Sequence, residues 1–269
     1  MDRPPDIYTH GHHDSVLVSH RWRTAENSAA YLLAHLHPGA EVLDVGCGPG
    51  TITIDLARRL TGGRIVGMDL APEVVAAAAA AATEAGSANA EFVVGDVYRL
   101  DAADSGFDVV HAHQVLQHLS DPVAALVEMR RVCRSGGLVA ARDSDYSAMA
   151  WHPSSPGLDR WRELYLALAR ANDAEPDAGR HLRSWALAAG FTEVDSSASV
   201  WCYSNDAERE WWSGMWADRV TESAYATQAL ERGYSTVDEL ESIAAAWRAW
   251  ARSRDGWFIV PHGEVLCRA

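Results

Sequence analysis

Apolar positions along this chain switch between two spacings, short solid runs and helical repeats, and the switch recurs in order. Val42, Leu43 and Val45 form a run of the kind that makes a buried parallel strand. Gly46, Gly48 and Gly50 break it, and residues 51–60 continue with a helical apolar pattern. Residues 64–70 predict a second strand, the alanine-rich stretch 74–82 a helix, and 91–97 a third strand. Residues 107–112 predict a fourth strand. The helix after it runs through Ala124, Leu126, Met129 and Val132, and 138–141 predicts a fifth strand. Strands alternating with helices in this way specify an α/β fold with a doubly wound, mostly parallel sheet.

Outside this core the pattern changes. Ahead of it, Thr24 and Ser28 flank apolar positions that continue through Ala29, Leu32, Leu33 and Leu36, predicting one helix that ends near Pro38 and Gly39. After it, helices are expected over 158–171 and 180–189, then a sixth strand over 192–203. A helical insertion over 207–251 carries Trp211, Trp212, Trp216, Trp247 and Trp250, and residues 257–267 return as a seventh strand. The expected division is an N-terminal helical segment (1–38) closing over the site, a core (39–205), a tryptophan-rich cap (206–255) and the last core strand (256–269). An insertion just before the last strand folds naturally over the active edge as a substrate lid. Its second use would be a homodimer interface.

Composition narrows the function. The chain has 269 residues and 48% apolar content, which suits one large domain or a domain with a cap. No window is long enough for a transmembrane helix and the N-terminus is polar, so a soluble, cytoplasmic protein is expected. A net charge of −14 argues against nucleic acid or an anionic membrane as partner. The four cysteines, Cys47, Cys133, Cys202 and Cys267, have neither disulfide nor metal spacing. His10, His12 and His13 cluster, yet only Asp14 stands nearby as an oxygen donor, so no familiar zinc pattern is complete. Of eleven tryptophans most lie after residue 150, which suggests an aromatic-lined pocket beside ordinary core packing.

The chemistry concentrates at the predicted strand ends. A strand running through three glycines into a helix is a nucleotide-binding turn, where missing Cβ atoms let a ligand approach the backbone. Asp69 follows about twenty residues on, at the end of the second strand, where a carboxylate can accept both hydroxyls of a ribose. Asp96 ends the third strand. The spacing departs from the dinucleotide fingerprint, because Thr51 stands where its last glycine belongs. A nicotinamide-dependent oxidoreductase would also need a proton relay such as Tyr-x-x-x-Lys, and the chain has none.

Asp44 followed by Gly46-Cys47-Gly48-Pro49-Gly50 resembles motif I of class I S-adenosylmethionine-dependent methyltransferases. The segment 107–119 is similar to the same family's fourth strand, and Gly136-Gly137 to its closing turn. The likeness is strong over residues 40–145 and points to the ubiquinone/menaquinone-type branch, whose members methylate small molecules. It implies a Rossmann-like seven-stranded sheet with an antiparallel last strand, and S-adenosyl-L-methionine as cofactor.

By that resemblance Gly46, Cys47 and Gly48 hold the methionine part and Asp44 the amino group. Asp69 and Leu70 belong to the ribose, and Gly95, Asp96 and Val97 to the adenine. His113 lies against the cofactor or the transferred methyl. Tyr8 and Arg23 close over the site. By their place at the sheet edge or on the cap, Gln114, Asp143, Tyr146 and Trp212 are candidate substrate contacts. Tyr8, His13 and His118 are the candidates for catalysis, with His10 a further possible base. No metal is expected. The aromatic cap and acidic balance favour a neutral or cationic aromatic metabolite, indole- or phenol-like, methylated at carbon, oxygen or nitrogen. A protein that binds the cofactor without turnover is the other reading the sequence leaves open.

Overall fold

The computed structural model describes Asp6, Ser19, His20 and residues 22–269. Five parallel strands form its base: β1 (Glu41–Val45), β2 (Arg64–Asp69), β3 (Ala90–Val94), β4 (Phe107–His113) and β5 (Cys133–Ser144). β6 (Ala150–His152), β7 (Val194–Tyr203) and β8 (Trp257–Arg268) complete one sheet of order β3-β2-β1-β4-β5-β8-β6, with β7 paired to β8. β8 runs antiparallel to β5, β6 and β7. The expected seven strands are therefore eight. The addition is β6, three residues that continue past the end of β5 along the first residues of β8.

Strand order reverses between β1 and β4, both of which neighbour each other in parallel, with β2 on the far side of β1. Crossovers leave a crevice at the carboxyl ends of the strands at such a reversal. The ends of β1, β2 and β4 meet there, with Val45 in register with both Met68 and Ala112.

Side chains alternate across the strands, and each face has its own core. On one face Val42, Ile65, Val109 and Ala140 pack against α1 (Ala25–Ser28), α2 (Ala30–Leu33) and α3 (Thr51–Ala57). On the other, Leu43, Val110, Val139 and Val265 pack against α5 (Pro122–Val132) and α7 (Ala178–Ala188), α4 (Pro72–Glu84) being the helix between β2 and β3.

The predicted single N-terminal helix is two short turns. Ala29, at φ −136°, interrupts it. The carbonyl of Asn27, which in an unbroken helix would face the Tyr31 N–H, accepts a hydrogen bond at 2.6 Å from Nε1 of Trp201 on β7.

A third, aromatic core belongs to the cap. The insertion folds as α8 (Asp206–Glu222), α9 (Ala224–Glu231) and α10 (Val237–Ala251). These pack on α6 (Pro156–Ala171) and on the ends of β7 and β8. The hydrophobic unit of the cap is thus wider than residues 206–255, since α6 supplies Leu158, Trp161, Leu164 and Leu168 to it. Trp161 is fully buried, edge-on to Trp216 at 4.5 Å and to Trp247 at 4.9 Å between ring centres. Most cap tryptophans, Trp247 and Trp250 included, are therefore core residues. Replacing Trp161 with alanine should cost about 3–5 kcal/mol, read as a lower urea midpoint, because the cage of rings around it cannot collapse into the space.

Candidate active site

Gly46, Gly48 and Gly50 all have positive φ, at +66°, +54° and +79°, so the turn takes a path that side-chain-bearing residues resist. A Cβ at Gly46 would sit 2.4 Å from Cγ2 of Val115. At Gly48 it would meet, among the described residues, only Nδ1 of His20, at 3.6 Å, so these residues leave the backbone open there. The turn is fastened to β2: Cys47 N–H donates to the Met68 carbonyl at 2.9 Å, and Gly48 N–H to Oδ2 of Asp69 at 3.0 Å. Oδ1 of Asp69 accepts from the Ala71 amide at 3.1 Å. A cradle open at Gly48, beside a carboxylate at the end of β2, fits the amino-acid and ribose parts of an adenosyl cofactor. Gly95 follows β3, its N–H on the Asp69 carbonyl at 3.0 Å. Oδ1 of Asp96 accepts the Tyr98 amide; Val97 is buried and Leu70 exposed.

Asp44, read as a contact for the cofactor's amino group, has both oxygens engaged inside the protein. Thr53 Oγ1 donates to Oδ2 at 2.5 Å and His111 Nδ1 lies 2.8 Å from Oδ1. Its observed part is to brace the turn from beneath. Cys47 is buried, and desolvation, then the charges of Asp44 and Asp69, push its thiol well up, so it stays protonated and is no nucleophile.

Beyond β4, Gln114 occupies the left-handed region at φ +54°. Its N–H donates to the Arg142 carbonyl at 2.7 Å. Oε1 accepts from Arg23 at 2.6 Å, and Nε2 stands 2.8 Å from Nε2 of His262. His113 stacks on His262 and packs on Trp201. Neither of its ring nitrogens has a hydrogen bond among the described residues. Burial, then the charges of Arg23 and Arg142, push it well below the usual histidine value, so it is neutral at pH 7.

His118 ends a short 3-10 turn, Leu116–His118, ahead of α5. Ser144 donates to Oε1 of Gln117, which leaves the Gln117 amide to donate to Nε2 of His118. Desolvation, then Arg23, push His118 down to about 3, so its accepting nitrogen is both occupied and weakly basic. Asp143 is fully buried on the opposite face from Arg142, its Oδ1 accepting from the backbone N–H of Gln117, and burial pushes its carboxyl up to about 8. Neither His118 nor Asp143 lines the recess described next. Tyr8 and His13, with His10 and His12, lie outside the described residues.

Between this edge and the cap is a recess enclosing about 370 Å³ of non-protein space, its solvent-open mouth included. Gln114, Tyr146 and Trp212, all named from the sequence, line it together, as does Arg23. Trp22, Trp201, Tyr203, Trp211, Trp216 and Arg219 line it too and escaped the sequence reading as site residues. Two signals were available for them. Trp201 and Tyr203 alternate on one face of a strand, and Trp212, Trp216 and Arg219 recur at helical spacing on α8. Trp22 had none.

A profile for a methyltransferase domain matches residues 36–189. The chain is 33% identical to an uncharacterized methyltransferase of Schizosaccharomyces pombe, over 99% of this chain and 98% of that protein. Its fold matches that of the YcgJ protein of Bacillus subtilis at a TM-score of 0.57, with 17% identity, over 95% of this chain and 98% of that one. It also matches, at 0.54 and 15% identity, a phosphoethanolamine N-methyltransferase of Haemonchus contortus solved with S-adenosylhomocysteine, over 87% of this chain and 49% of that one. The fold and site define a class I, Rossmann-like methyltransferase. The chain belongs to the methyltransferase-domain family, and its cofactor is S-adenosyl-L-methionine.

Two outcomes follow from this geometry. Asp69→Ala should weaken S-adenosylhomocysteine binding about tenfold to hundredfold by calorimetry, the loss of hydrogen bonds to a charged acceptor. NAD should bind neither protein. Separately, Asp143 keeps its proton to about pH 8 when folded, against an ordinary 3.8. The folded chain then holds more protons than the unfolded one between these values, so this group makes stability fall as pH rises through that window. In Asp143→Asn the urea midpoint should decline less than in the parent from about pH 5 to about pH 8.

Proposed function

We propose that the chain methylates a small, planar aromatic metabolite of indole or phenol type that docks in the tryptophan-lined recess. The observation that carries this reading is the lining itself: five tryptophans and two tyrosines beside Gln114. Flat rings supply large apolar contact with few degrees of freedom to freeze, which suits a flat guest.

Bound S-adenosyl-L-methionine supplies a methyl already activated by its sulfonium charge, which leaves the protein alignment and exclusion of water. The glycine turn and Asp69 would hold the donor, and Gln114, fixed by three hydrogen bonds from three elements, separates donor side from acceptor side. α8 would press Trp211, Trp212 and Trp216 over the acceptor and keep water out. The reading includes in-line transfer without a metal.

The test is transfer of labelled methyl from S-adenosyl-L-methionine to a panel of indoles, phenols and aromatic amines. Product from at least one ring compound, and none from aliphatic amines of similar size, is the expected result. Trp211→Ala, at a partly exposed position, should raise KM for that compound about tenfold and change kcat less. Binding of S-adenosylhomocysteine without turnover of any acceptor would favour a cofactor-binding protein instead.

A further inference from the structure

The charge and hydrogen-bond character of the recess oppose the neutral or cationic substrate that the overall acidity suggested. Arg23 and Arg219 line it, and the described lining residues include no Asp or Glu. Arg219 is held in place by Ser19, at 3.1 Å from its Nη2, and by the face of Trp216, 4.5 Å away.

Two further groups are sharper. Tyr203 is 1% exposed and Trp212 5% exposed; both line the recess, and among the described residues the Tyr203 hydroxyl and Trp212 Nε1 have no hydrogen-bond partner. The rings stack at 4.3 Å with 13° between planes, so both polar edges belong to one pair of stacked rings. An indole N–H only donates. The phenol stays protonated, because burial pushes it well above its usual value. The amide oxygen nearby is already used: Oε1 of Gln114 takes Arg23. Buried donors without partners are costly, and a guest that supplies acceptors relieves them.

We propose, resting on the reading of the recess as the substrate site, that it selects aromatic substrates carrying acceptor oxygens, a carboxylate foremost, through Tyr203 and Trp212 as donors with Arg23 and Arg219 setting the sign. A cationic guest would place a positive charge between two guanidinium groups with no carboxylate in the described lining. A plain hydrocarbon would leave both donors unmet.

Three probes of one shape test this: naphthalene-2-carboxylate, naphthalene and 2-(aminomethyl)naphthalene, titrated by tryptophan fluorescence into protein saturated with S-adenosylhomocysteine. The carboxylate should bind at least about tenfold tighter than either other probe. In Tyr203→Phe, which keeps the ring, that advantage should shrink about fivefold or more while naphthalene binds as before. Arg219→Gln should shrink it as well. Binding of S-adenosylhomocysteine and an unchanged melting temperature identify variants that fold. Equal binding of all three probes, or preference for the amine, overturns the acceptor-oxygen proposal and leaves the aromatic recess standing. Failure of every probe to bind protein that holds S-adenosylhomocysteine overturns both, because the recess then takes no flat ring.

Discussion

Asp44 accepts a hydrogen bond from Thr53 on one oxygen and faces Nδ1 of His111 with the other, and through these two contacts β1, α3 and β4 are locked together beneath the glycine turn. At 2% exposure this carboxylate has no water to satisfy it, so the fixed donors are a condition of its burial. Everything above depends on that knot. The glycines can leave the common backbone regions because the elements entering and leaving the turn cannot shift. Asp69 then receives the Gly48 amide at one position rather than many. A motif acid that looks like a ligand contact is, in this geometry, the anchor of the contacts around it.

The cap solves a different problem. A methyl-transfer site needs a dry acceptor side, and the crevice at the strand ends is open by construction. The aromatic core that α8 shares with α6, α10 and the ends of β7 and β8 holds that helix beside the recess. Trp201 links the two parts: its ring packs on His113 and His262, its face takes Arg23 and Arg142, and its Nε1 reaches Asn27. One strand residue thus joins the N-terminal turn, the end of β4 and the recess.

The parallel core was legible because it obeys local rules. Solid apolar runs, glycines and carboxylates at run ends mark strands and ligand turns without knowledge of partners. The additional strand β6 was not, since Ala150–His152 is strand only by pairing with β8, more than a hundred residues later. The broken N-terminal helix failed for the same reason, its interruption coming with a hydrogen bond to β7. Gln114, Tyr146 and Trp212 were found by their place after strands or on the insertion. Arg219 and Tyr203 had periodic spacing, but spacing alone did not separate a face turned to the recess from ordinary core, which only the packing of α8 against β7 decides. His118 shows the converse. A histidine at the right edge looks like a base until its nitrogen is seen accepting from Gln117.

Global and local charge separate in this molecule. The sequence carries a net −14, yet the described lining of the recess carries arginines and no carboxylate. The global charge acts in solvent and fades over a Debye length of about 8 Å at physiological salt. The recess acts on a guest already stripped of water, where each hydrogen bond counts more. Total charge therefore bears on which molecules approach, and excludes polyanions well. It says little about the sign of a small guest, which the few groups touching it decide. An anionic guest would meet a repulsive field outside and an attractive one inside, so added salt should ease its entry by screening the first while leaving the buried contacts largely intact.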